Sequence, residues 1–110
     1  MEIQILSKKT SGGLFIQFEL KPDKEEIEDL SVEPPGEAFE ALTKMEEELR
    51  SSGEICDSPD TGLKERTEAF SGASHVEGGS YEVRDEAASD VVTERIQAIF
   101  PEAEVDVDYL

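Results

Sequence analysis

The sequence predicts an α+β fold: a small mixed or antiparallel sheet, made from an N-terminal hairpin and a C-terminal strand, with two main helices packed on one face. Three observations predict it. Leu14, Ile16, Phe18 and Leu20 recur at every second position, alternating with Phe15, Gln17 and Glu19, and residues 103–109 alternate apolar and polar with a period of two. Residues 37–51 and 88–99 repeat apolar side chains at helical spacing. Strand-like segments stand at both ends of the chain, with the helical ones between them, an order that suits one sheet covered on one side.

The hairpin begins with Ile3 and Ile5, turns through Lys8-Lys9-Thr10-Ser11-Gly12-Gly13, and returns through Leu14, Ile16, Phe18 and Leu20, which are expected to face the core. Phe15, on the other side of that strand, either caps a small second cluster or is exposed. Asp23 with Glu26 resembles a capping box for a helical turn through Leu30, which Pro34-Pro35-Gly36 stops. The first main helix runs from Glu37 to about Ser51, with Ala38, Phe39, Leu42, Met45 and Leu49 on its inner face. Glu40/Lys44 and Glu46/Arg50 are favourable pairs four residues apart, and Gly53 sits where a C-terminal cap belongs.

Residues 54–80 carry the weakest pattern. Ser58-Pro59-Asp60 suits the start of a short helix bearing Leu63, Arg66, Thr67 and Phe70, and Gly72, Gly78 and Gly79 then predict a flexible loop region. Tyr81-Glu82-Val83 reads as a short strand. Asp85 or Ser89 caps the second helix, whose inner face is Ala88, Val91, Val92, Ile96 and Ile99 and which Pro101 ends. In the final strand Ala103, Val105, Val107 and Tyr109 are expected to face inward and the intervening acids outward. All of this forms a single domain over 1–110.

Composition bounds the function. Hydrophobic residues make up 36%, so the core is expected to be small. The 28 acids against 10 bases leave a formal charge of −18, a self-repulsion that salt or a cationic partner offsets. Direct binding to DNA, RNA or an anionic membrane is not expected, because each repels such a chain. Cys56 is the one cysteine, and MEIQIL has neither the basic start nor the apolar run of a signal peptide, so a cytoplasmic setting is expected.

Catalysis is not expected. The single histidine, His75, lies in the glycine-rich SGASHVEGG stretch and reads as a solvated loop residue. Cys56 stands between Ile55 and Asp57, where nothing favours the thiolate, and reads as a small hydrophobe or unreactive thiol. The glycines lack the lysine and spacing of a phosphate loop, and no segment matches a calcium loop; no cofactor and no metal are expected.

The acid is unevenly placed: residues 1–24 sum to +1, residues 25–60 to −11 and residues 61–110 to −8. Two groups have a defined geometry. Glu104, Asp106 and Asp108 project from one face of the last strand about 6.6–6.8 Å apart, near the spacing of successive phosphates. Glu40, Glu47 and Glu48 crowd the solvent side of the first helix. Ordered carboxylates of this kind can occupy a basic groove built for a nucleic-acid backbone.

The leading expectation is therefore a non-catalytic, acidic protein-binding inhibitor or regulator, with these six acids as phosphate surrogates. Its partner would be a basic nucleic-acid-handling protein such as a nuclease or a CRISPR effector. Charge and size alone are shared with small phage-encoded anti-restriction and anti-CRISPR proteins, and no motif carries that analogy. Two alternatives have the same composition: a structural or accessory domain of a salt-loving organism, or an assembly module that pairs through the edge of the hairpin.

Overall fold

The computed structural model describes residues 1–59 and 61–110. In chain order the strands and helices are β1 (Glu2–Thr10), β2 (Gly13–Lys21), α1 (Glu37–Ser51), β3 (Gly62–Thr67), β4 (Ser74–Val83), α2 (Glu86–Ile99) and β5 (Glu104–Tyr109), with a short 3₁₀ turn at Glu28–Leu30 before α1. The five strands form one sheet in the order β3-β4-β2-β1-β5. It is mixed: β1 runs parallel to β5, and the other neighbours are antiparallel.

The hairpin is tighter than its turn residues predict. Lys8, Lys9 and Thr10 belong to β1, only Ser11 and Gly12 turn, and Gly13 takes a φ of +139°, which a side chain would disfavour. The hairpin also lies at the centre of the sheet, with β4 on β2 and β5 on β1. Both of its edges are thus occupied, and assembly through the hairpin edge has no free strand to use. The open edges are β3 and β5.

One face of the sheet carries the core. Ile3 and Ile5 of β1, Ile16, Phe18 and Leu20 of β2, and Val76, Tyr81 and Val83 of β4 pack with Leu42, Met45 and Leu49 of α1 and Ala88, Val92 and Ile96 of α2. The helical repeats thus bury the residues that their spacing selects. Glu26 closes the Asp23 turn as the box predicts, its carboxylate accepting from the Asp23 N–H at 3.1 Å. Leu30 then drops fully buried into the core.

Asp85 is the cap of α2, its Oδ1 accepting from the Ala88 N–H at 2.8 Å. That bond, with lesser help from Arg84, holds the Asp85 carboxyl below its ordinary pKa. A depressed folded pKa stabilises the fold above the unfolded value, near 3.8, and the contribution disappears as pH falls through the folded value. Asp85→Ala is accordingly expected to lower the urea midpoint at pH 7 and to leave the wild type and variant closer together at pH 2 to 3.

About half of the 54–80 segment, predicted as a flexible loop region, is strand. β3 replaces the short helix proposed from Ser58-Pro59-Asp60, where Asp60 lies outside the described residues. β4 extends through Gly78 and Gly79. A side chain at Gly78 would run into the Phe18 carbonyl oxygen of β2. One at Gly79 would meet the Phe18 ring at 2.6 Å. These glycines therefore permit close approach between β4 and β2. A register shift opposite Lys64 and Glu65 leaves Glu77 as an extra residue in β4.

Tyr81 is fully buried on β4 and stacks on Phe18 with ring centroids 6.0 Å apart. Its hydroxyl has no hydrogen-bond partner among the described residues. Burial, with the Glu46 carboxylate adding to it, raises the phenol pKa and keeps the group neutral. Since an unpaired buried hydroxyl carries its desolvation penalty without return, Tyr81→Phe is expected to raise stability by about 1 kcal/mol in urea denaturation.

Candidate functional site

The helices cover one face of the sheet and leave the other open. Cross-strand register fixes what that open face presents. One row runs Gly62, Ser80, Gln17, Leu6, Asp108; the next runs Lys64, Gly78, Glu19, Gln4, Asp106. Gly78 leaves the second row without a side chain beside Glu19. A shallow groove of about 560 Å³ results, lined by Gln4, Leu6, Gln17, Glu19, Lys64, Glu77 and Asp108 among others. Its charges are mixed, and carboxamides hold its centre.

Along the β5 border the acids stand as the alternation predicts. Glu104, Asp106 and Asp108 are exposed on the open face, while Val105 and Val107 are half-buried against the core. Tyr109 departs from expectation: it is 72% exposed at the end of the strand, beside Ser7 of β1. Parallel register with β1 sets Glu2 beside Glu104, Gln4 beside Asp106 and Leu6 beside Asp108. Glu2 thus widens the acid row at its Glu104 end, a neighbour that no sequence pattern points to because pairing register is not written in one strand. None of Glu104, Asp106 and Asp108 forms an ion pair among the described residues.

The second acid group is elsewhere. Glu40, Glu47 and Glu48 are exposed on α1, on the outer side of the helix layer, so they face away from the β5 acids across the thickness of the molecule. One flat partner surface cannot meet both. Glu48 is also engaged within the chain: it accepts from Arg95 of α2 at 2.7 Å and lies 4.0 Å from Lys44. Its carboxylate ties the two helices together. Glu40 and Glu47 have no such partner among the described residues and stand two turns apart on one stripe.

The residues with catalytic chemistry are dispersed. His75, expected on a solvated loop, is 9% exposed on β4, where Ser31 bridges to it and Val32 donates its N–H to the Ser74 carbonyl at 2.9 Å. The strand character that glycine concealed accounts for the difference. Cys56 is half-buried, and its N–H donates to the Glu82 carbonyl at 2.8 Å. Among the described residues no three of His, Cys, Asp and Glu cluster as a metal site, and no helix is long and apolar enough to cross a membrane.

No protein-family model matches this chain, and neither a curated protein nor a solved structure matches it.

Proposed function

We propose that the chain is a non-catalytic regulator that binds a basic nucleic-acid-handling protein and competes with nucleic acid for it, using the acid row of β5. The observation that carries this reading is the row itself. Glu104, Asp106 and Asp108 are held at regular intervals by a strand, exposed on one face, and outside every ion pair among the described residues. Carboxylates pre-positioned in this way lose little conformational freedom on meeting lysine or arginine side chains, which favours binding over a disordered acidic tail of equal charge.

Glu40 and Glu47 belong to a separate surface in this reading, and Glu48 serves the helix pair. The spread of acid over both layers favours a second reading, a domain adapted to concentrated salt, in which the acids serve hydration. Affinity capture from host lysate at about 0.1 M salt tests the first reading. A nuclease, polymerase, repressor or CRISPR effector that excess nucleic acid or about 0.5 M salt releases is the expected catch. A partner indifferent to both would overturn the reading. A chain that unfolds at the lower salt would favour the second.

A further inference from the structure

The free border of β5 presents more than charge. Glu104 donates its N–H to the Met1 carbonyl at 3.0 Å, Leu110 donates to the Ser7 carbonyl at 2.8 Å, and the Leu110 carbonyl accepts from Lys9 at 3.4 Å. The even-numbered residues of β5 therefore spend their backbone groups on β1. By strand alternation the N–H and C=O groups of Val105, Val107 and Tyr109 point the other way, to an edge that no strand covers among the described residues.

The two edges of the sheet differ. β3 is interrupted by the register shift at Lys64 and Glu65 and mixes both signs of charge, features that blunt pairing. β5 is regular over its six residues and guarded only by acids of one sign. Against a second copy of itself that guard is effective, since acid rows would lie side by side. Against a basic strand the same acids become an attraction.

Resting on the reading that β5 meets a basic protein, we infer that the partner contributes an extended segment of alternating basic and apolar residues, which adds to β5 as a sixth strand. Its basic side chains lie beside Glu104, Asp106 and Asp108 on the open face. Its apolar side chains lie beside Val105, Val107 and the exposed ring of Tyr109 and extend the inner face. Backbone hydrogen bonds supply affinity, and the alternation supplies selectivity.

The test uses end-blocked octapeptides and the full chain, followed by NMR amide exchange and titration. Alternating lysine and valine is expected to slow exchange at the Val105, Val107 and Tyr109 amides. A peptide of the same composition with its lysines and valines in separate blocks is expected to bind without that protection. In an added antiparallel strand the valines, opposite Val105, Val107 and Tyr109, carry the N–H groups aimed at β5. N-methylation of the valines should therefore weaken binding by about tenfold or more, and N-methylation of the lysines should leave it near the unmodified value. Equal binding of the alternating and block peptides, with the three amides unprotected, would overturn strand addition while leaving charge recognition by β5 standing. Absence of binding by any of the peptides would overturn strand addition too, and capture of the native partner would still decide the competitive reading independently.

Discussion

Gly78→Ala is expected to destabilise the fold by about 3 kcal/mol or more, the upper range for forcing volume into a packed interior. The added methyl group meets backbone on β2, the Phe18 carbonyl and then the Glu19 Cα at 3.2 Å, and not the end of a flexible side chain. Relief requires β2 and β4 to separate, which breaks hydrogen bonds at the centre of the sheet. Domains of this size have about 5–15 kcal/mol in hand, so the loss is a large share of the total. Gly72→Ala provides the contrast. Nothing lies within 4 Å of its added Cβ, and the cost is that of a side chain at a φ of +68°, about 1 kcal/mol. Urea denaturation of the two variants beside wild type measures the difference.

Neutralising the β5 row with Glu104→Gln, Asp106→Asn and Asp108→Asn together is expected to weaken binding to the captured basic partner by about 100-fold. Each exposed ion pair contributes about 1 kcal/mol, and 1.4 kcal/mol is a factor of ten. The fold should be unaffected or slightly more stable, because the three side chains are exposed and form no ion pairs among the described residues, and their like charges repel. The same change at Glu40 and Glu47 of α1 should leave that affinity within about twofold, since those residues face the opposite way and act at long range only. Isothermal titration of the three proteins against the partner reads both expectations.

The elements with a clean period are legible in the residues themselves. Ile16 to Leu20 and Val105 to Val107 alternate without interruption. Met45 and Leu49 of α1, and Val92 and Ile96 of α2, fall four residues apart and are buried as that spacing predicts. Tyr81 to Val83 is the strand end that the sequence predicts, but β3 and the part of β4 before Tyr81 are not legible, for a physical reason. An edge strand that buries little apolar surface, here Leu63 alone among Gly62–Thr67, has no hydrophobic alternation to show. The glycines of β4 are selected by backbone contact with β2, and a contact between segments some sixty residues apart leaves no local pattern.

The site is half legible in the same sense. That Glu104, Asp106 and Asp108 share a face follows from strand period alone. Their place at a free edge, the company of Glu2, and their separation from Glu40 and Glu47 depend on strand order and layering, which one strand's sequence does not encode. Glu48 shows the same limit on a smaller scale, since Arg95, 47 residues further along the chain, takes up its charge.

In the proposed function the β5 acids and nucleic acid compete for one surface of the partner. Fluorescence anisotropy of a labelled oligonucleotide bound to the captured partner tests it, with wild-type chain and the neutralised β5 variant as titrants. Wild type is expected to lower the anisotropy to that of the free oligonucleotide, and the variant to require about 100-fold more protein for the same effect. An anisotropy that rises on addition of wild type, reporting a complex of all three components, would rule out competition.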